Sequence, residues 1–412
     1  MNRELTVHIS RHGETTLVGR LWTRIRGGRE SASFEYAAEW LAAPDGFPID
    51  PELPLTPGAF HTERPLFNVF TDPAPDCWGQ TLLRRRERAR ARAEDRAPRT
   101  LASVDFLTLV DDATRLGALR FRDVGSDVFL TTGTAPIPPL VQLGRLLGAS
   151  NRIADDKETD DDLALLLAPG TSLGGARPKA SILDRDKHLM IAKFPQRDDE
   201  WPITRWEAAT LAMARGAEID VPAFRLELVL RKPVLLLRRF DRTGTHRIPF
   251  MSALTALDAQ DGELRSYLDI ASVLRQIGSA PSRDLEQLWR RMVFNILVSN
   301  TDDHLRNHGF LRDETGWRLS PAFDLNPVPI DVRPRVHALA IDADDPTASL
   351  DQARSVARSF GLTASAARSV IAKVAGSVQR WRATAATMGL SKAQIERMST
   401  AFEHADLAAA AG

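Results

Sequence analysis

The spacing of apolar residues changes period near Leu264, and that change limits the fold more than any other feature of the chain. Upstream, short β-rich runs recur at Ala180 to Leu183, Leu189 to Phe194, Phe224 to Val229 and Val234 to Arg239, with Trp206 to Ala214 spaced as a helix between them. Downstream the spacing is helical, and the last sixty or so residues, rich in Ala, Arg and Leu, read as a closing helical bundle. Strands first and helices afterwards make a segregated α+β arrangement.

The N-terminal portion is also β-rich. From Leu5 to Leu21 apolar and polar residues roughly alternate, with turn chemistry at His12-Gly13 and at Arg26-Gly27-Gly28, which predicts a small antiparallel sheet. Phe34, Tyr36, Trp40 and Leu41 begin a packed segment. Leu82 to Arg99 is dense in arginine and offers little apolar face, so it reads as an exposed helix. Glu87, Glu94 and Asp95 within it favour a solvated face over a nucleic-acid arm. The polar, acidic stretch 150–162 is read as a boundary. Three portions result: residues 1–150, β-rich; 163–240, a mixed sheet with a Gly-containing loop; and 241–412, a helical lobe. No internal repeat interrupts this order.

With 43% apolar residues the chain can bury one large core or two ordinary ones. Lys plus Arg equals Asp plus Glu at 54 each, so no global field draws it to nucleic acid or an anionic membrane. The lone Cys77 excludes a disulfide framework and is read as a buried or incidental thiol. The N-terminus lacks a signal-peptide core and no stretch reads as a membrane span, so a cytoplasmic protein with no membrane partner is expected.

The chemistry concentrates in Asn300-Thr301-Asp302-Asp303-His304-Leu305-Arg306-Asn307, polar everywhere except Leu305 and delivered by the apolar run Trp289 to Val298. A kinase catalytic loop holds a base Asp and a metal-binding Asn five positions apart, as Asp302 and Asn307 are. Downstream, Trp317 to Asp324 reads as a strand ending in an aspartate, where a kinase carries its second metal ligand. The plain structural alternatives are helix-terminal capping by Asp302 and Asp303 and a simple turn at Asp324. The order and spacing of the set favour chemistry. Upstream, Ser172 to Lys179 is a Gly-containing loop, with Gly174 and Gly175, suited to bringing backbone amides close to phosphate. Lys193, in an apolar strand, is the candidate for the α/β-phosphates, with Glu207 of the next helix as its partner. Lys179 serves equally as a phosphate contact. Arg239-Phe240-Asp241-Arg242 reads chiefly as a connector with an internal ion pair.

At these residues the chain resembles the HipA family of bacterial serine/threonine-protein kinase toxins. The resemblance is carried by Val18-Gly19-Arg20-Leu21 with Phe34-Glu35-Tyr36, Trp40-Leu41 and Leu53-Pro54-Leu55; by Pro75-Asp76-Cys77-Trp78-Gly79; and by Asp111-Asp112 with Gly117 to Phe121. The loop Ser172 to Lys179, Arg239 to Arg242, Asn300 to Asn307 and Phe323-Asp324 complete it. It implies a two-lobed, protein-kinase-like α+β fold and transfer of the γ-phosphate of ATP, with Mg2+, to a protein serine or threonine. In known members the acceptor is an aminoacyl-tRNA synthetase and the outcome is growth arrest. A helix-turn-helix antitoxin is the implied partner, so DNA is met only through it. By motif, Asp302 is the base, Asn307 and Asp324 the metal ligands, and Ser172, Gly174, Gly175, Ala176, Lys179, Lys193, Glu207 and Arg239 the ATP-binding set. Ser172 also matches the family's autophosphorylated serine, whose phosphate displaces the loop. Pro178 stiffens the loop and Arg238 stands where an acidic residue is common; both bear on regulation more than on chemistry.

Three other readings stand beside this one. Arg11-His12-Gly13-Glu14-Thr15 matches a histidine-phosphatase signature, but His12-Gly13 sits where a hairpin turn is expected. A small-molecule kinase of the aminoglycoside type would use a similar catalytic loop. An inactive pseudokinase acting in a transcriptional complex is the non-enzymatic reading.

Overall fold

The computed structural model describes residues 2–132, 136–167, 175 and 177–411, and the chain divides into two compact units. The first comprises Met1–Gln196, Val229–Lys232 and Leu236–Met251; the second comprises Arg197–Leu228, Pro233–Leu235 and Ser252–Gly412. The acidic stretch 150–162, expected as a boundary, lies inside the first unit. There it closes the helix Leu143–Ala154 and opens the helix Asp160–Leu167.

The first unit is built on strands β1 (Asn2–Arg11), β2 (Glu14–Arg26), β3 (Arg29–Tyr36), β4 (Ala59–Thr62) and β5 (Leu119–Asp123), ordered β4-β3-β2-β1-β5 with antiparallel neighbours. Leu5, Val7 and Ile9 send alternate side chains into the core, as period two requires. His12 and Gly13 both have positive φ, so the two-residue turn closes Arg11 onto Glu14 with the twist that a hairpin favours. The phosphatase-like histidine is thereby the exposed tip of a turn. Arg11 lies over the rings of Trp40 and Phe47 and pairs with Asp45, a packing role. Gly19 is required where β2 meets β3: a Cβ there would stand 2.2 Å from the Glu35 carbonyl oxygen.

The arginine-rich helix runs from Cys77 to Ala93, capped by Asp76, whose side chain accepts from the Gly79 amide. Trp78, Leu82 and Leu83 anchor it, while Arg85, Arg90 and Arg96 are neutralised by Glu158, Glu94 and Glu87. Cys77 is exposed at its start, which leaves the incidental of the two expected readings. A further hairpin joins β6 (Lys179–Leu183) to β7 (Leu189–Lys193), with Lys179 opposite Lys193.

The second unit is mainly helical, as the change of period predicts. Ser266 and Asp269 form a capping box for the helix Tyr267–Ile277, and Pro281 opens the long helix Pro281–Leu297 at a position where its missing N–H costs nothing. Leu288, Trp289, Met292, Val293 and Phe294 are fully buried along this second helix. The hairpin Gly309–Arg312 with Trp317–Leu319 follows it in sequence. Trp206, Trp381 and Phe402 stack at centroid separations of 5.9 Å and 4.6 Å about Phe402, tying the C-terminal helices to the helix Ile203–Gly216. Among the described residues no helix is long and apolar enough to cross a membrane.

Candidate active site

The long helix of the second unit ends at Leu297 and hands the chain to Ser299, whose φ of 52° turns it sharply into the polar octet. The Asn300 amide donates to the Asn295 carbonyl at 2.9 Å, and the Asn300 side chain donates to Asn295 Oδ1 at 3.1 Å. The start of the loop is thus fixed to the last turns of a buried helix. Two aspartates follow with opposite fates. The Asp302 side chain is 63% exposed and its Oδ1 meets Arg333 at 2.8 Å. Asp303 is 2% exposed.

Asp303 accepts from the Tyr267 hydroxyl, from Asn295 Nδ2 at 2.8 Å and from His308 Nε2 at 2.8 Å. Burial alone would raise its carboxyl; the His308 interaction and the Tyr267 hydrogen bond overcome that and hold it below the usual carboxylate range. Tyr267 moves the other way, raised well above the ordinary phenol by burial and by the Asp303 charge, so it donates as a neutral hydroxyl. Asp303 therefore joins the helix Tyr267–Ile277, the helix Pro281–Leu297 and the end of the polar octet through side chains, rather than capping a helix. Sequence reasoning missed Tyr267, Asn295 and His308. A faint signal existed for one of them: Asn295 is the one amide within the apolar run Met292 to Val298.

Asn307 donates from Nδ2 to the Asp302 carbonyl at 3.1 Å, while its buried Oδ1 has no hydrogen-bond partner among the described residues. A buried amide oxygen lacking a donor suits a hard cation. The strand leading toward Asp324 ends at Leu319, and Asp324 lies beyond it in irregular backbone with φ of 58°, a conformation Asp tolerates better than most residues. Asn326 donates from Nδ2 to Asp324 Oδ1 at 3.3 Å and from its backbone amide to Asn300 Oδ1 at 3.3 Å. Asp324 is in this way connected through Asn326 to Asn300 in the polar octet. An amide oxygen and a carboxylate, with no thiolate, are donor types suited to Mg2+.

In the first unit, Lys179 is buried and pairs with Asp76 at 2.7 Å, with Nζ also 3.4 Å from the Gly175 carbonyl. It ties the cap of the Cys77–Ala93 helix to the Gly-containing loop. Arg239 forms the internal ion pair expected of the connector 239–242. Its fully buried guanidinium makes two 2.6 Å bonds to Asp241 and a third to the Thr114 carbonyl at 3.0 Å. Lys193 is half-buried at the end of β7. Glu207, in the second unit, is buried within its helix. Ser172, Gly174 and Ala176 lie outside the described residues.

Comparison with known proteins adds the following. Residues 171–382 match the HipA-like C-terminal domain and residues 12–104 the HipA N-terminal domain. The chain is 27% identical over 176 residues to "Putative kinase Y4mE" and 28% identical over 204 residues to "Putative kinase Y4dM", both of Sinorhizobium fredii. These matches take in 37% and 42% of this chain and 41% and 49% of those proteins, so the chain spans under half of each curated relative. Among solved structures it is similar to the Shewanella oneidensis toxin–antitoxin complex of HipA, HipB and operator DNA, with a TM-score of 0.69 and 17% identity. That match covers 98% of this chain and 96% of the other.

Proposed function

The chain belongs to the HipA family, and from that premise we propose that it is an ATP-dependent kinase of protein serine or threonine hydroxyls. The observation that carries the reading is the pairing of an exposed Asp302 with Asn307, whose side chain is bonded to the Asp302 backbone and keeps a buried, unpartnered oxygen. Asp302 orients the acceptor hydroxyl and takes its proton as the γ-phosphoryl group is transferred. Asn307 and Asp324 would hold Mg2+, which when bound neutralises phosphate charge. Lys193 and Glu207 are each assigned to the ATP-binding set.

Three finer assignments follow the family. The acceptor is a translation component, with an aminoacyl-tRNA synthetase first in order. A helix-turn-helix antitoxin restrains the kinase, as the HipB-containing complex of the Shewanella protein suggests, and DNA is reached through it. Ser172 is phosphorylated by the enzyme itself, which shuts off ATP binding.

Incubation with labelled ATP, Mg2+ and a cell extract tests the assignment. Asp302→Asn is expected to lower labelling of protein by about 10²–10⁴-fold. Asp324→Asn preserves a residue that tolerates positive φ, so its expected loss of labelling reports the missing carboxylate charge rather than a refolded backbone. Equal labelling by wild type and both variants would sink the proposed site, and labelling of small molecules alone would favour the antibiotic-kinase reading. Mass spectrometry that finds Ser172 unmodified in an active preparation would remove the autoregulation.

A further inference from the structure

After Asn326 the chain makes an excursion whose two ends are fixed beside the catalytic loop. The Val328 amide donates to the Ser299 carbonyl at 3.1 Å and the Ala338 amide to the Thr301 carbonyl at 3.0 Å, so the bonds bracket residues 329–337 at the entrance to Asp302. Inside it, Val332 and Arg333 both donate to the Pro329 carbonyl, forming a tight turn. Arg335 pairs with Asp406 at 2.7 Å and Asp331 with Arg397 at 3.1 Å. The excursion is therefore held at its ends and by ion pairs at Asp331 and Arg335.

Its outer side faces water. Ile330, Val332 and Val336 are 50%, 46% and 46% exposed, three of the nine large apolar side chains exposed to this degree among the described residues. Scattered exposed apolar groups need no explanation, whereas a group of them on a braced segment marks a contact surface. Arg333 stands among them with its side chain 51% exposed, making one hydrogen bond, to Asp302. An exposed pair of this kind is weak and easily exchanged. When Asp302 turns to an acceptor hydroxyl, the guanidinium is left for another acid.

We infer that residues 329–337 form the acceptor-docking rim. It takes an extended segment of a protein, with an acidic side chain next to the phosphorylated hydroxyl for Arg333 and apolar flanks for Ile330, Val332 and Val336. This rests on the phosphotransfer reading. Charge complementarity selects the occupant: a polycationic small acceptor would meet the Arg333 cation at the entrance, whereas an acid-flanked peptide meets a fork-shaped donor suited to carboxylate.

The test uses the full chain with Mg-ATP and two synthetic peptides that share one serine and apolar flanks, one with Glu and the other with Gln beside the serine. Wild type is expected to favour the Glu peptide about tenfold in kcat/KM, carried in KM. Arg333→Gln removes the preference and Arg333→Lys restores part of it. The double change Ile330→Ser with Val332→Ser raises KM for both peptides and keeps the preference. A Glu preference that survives Arg333→Gln, or Arg333→Gln lowering kcat equally for both peptides at constant KM, overturns the proposal. Peptide binding followed by fluorescence anisotropy without nucleotide separates the two levels. Arg333-dependent binding without any phosphate transfer keeps the rim and sinks the kinase reading. Transfer to both peptides that is indifferent to Arg333 sinks the rim alone.

Discussion

Asp241 of the first unit and Asp303 of the second are both carboxylates withdrawn from water, and their surroundings differ in kind. Asp241 is enclosed by Arg239 and Arg242 and accepts the Gly117 amide at 2.8 Å. Burial alone would raise its carboxyl; the two guanidinium charges hold it far below the usual range. Arg242 also reaches the carbonyls of Arg115 and Gly117, so the connector 239–242 is fastened to the loop before β5. Asp303 instead meets a phenol, an amide and an imidazole. A carboxylate caged by permanent cations makes a fixed joint that acid scarcely touches. One held by a phenol, an amide and an imidazole sits next to Asp302 in sequence and leaves that residue free of the bracing.

Breaking the joints should separate these roles. Asp241→Asn leaves two buried arginines short of their counter-charge, and a loss of about 3–5 kcal/mol in urea unfolding is expected. A loss below about 1 kcal/mol would mean the cage is not needed for stability.

Acid sharpens the contrast. His337, buried close to Asp303, has its pKa lowered from 6.5 to about 4, by burial first. As pH falls, the unfolded chain takes up that proton near 6.5 and the folded chain only near 4. This histidine therefore removes roughly 3 kcal/mol of stability across that window. Asp303, with its carboxyl depressed by folding, adds its own loss only further into acid. Unfolding measured at pH 7, 5.5 and 4.5 should show the fall, and His337→Leu should flatten it; an unchanged slope would contradict the burial argument.

Asp303→Asn is expected to cost about 1.5–3 kcal/mol through weakened charge-assisted hydrogen bonds, with a fall in kcat beyond what the unfolded fraction explains. Smallest in stability is Asp302→Asn: its exposed pair with Arg333 predicts a change within about 0.5 kcal/mol, while phosphate transfer collapses. A large destabilisation there would make Asp302 a bracing residue like its neighbour.

Much of this could be read from the chain because it is written in local periods and spacings. His12-Gly13 and Gly27-Gly28 announce their hairpins, the strand of Lys193 is a plain apolar run, and Asp302, Asn307 and Asp324 stand in a recognisable order. What escaped was set by distant partners. Nothing near Lys179 tells that it pairs with Asp76, and nothing near Arg239 tells that Thr114 accepts from it. Such contacts span more than a hundred residues and leave no periodic trace. The acidic stretch 150–162 misled for the converse reason: polar composition marks solvent exposure, and two helices carry it within one unit. Asp303 was hidden by its neighbour, since adjacent aspartates look alike until one is seen to be buried.

The two amide bonds at Val328 and Ala338 carry a consequence for how such a protein can diversify. They fix the ends of the excursion through the backbone, while Arg335 and the buried His337 commit their side chains to the fold and Ile330, Val332, Arg333 and Val336 stay exposed. Change confined to those four exposed positions would alter which surface is presented beside Asp302 without disturbing the backbone bonds that hold the segment.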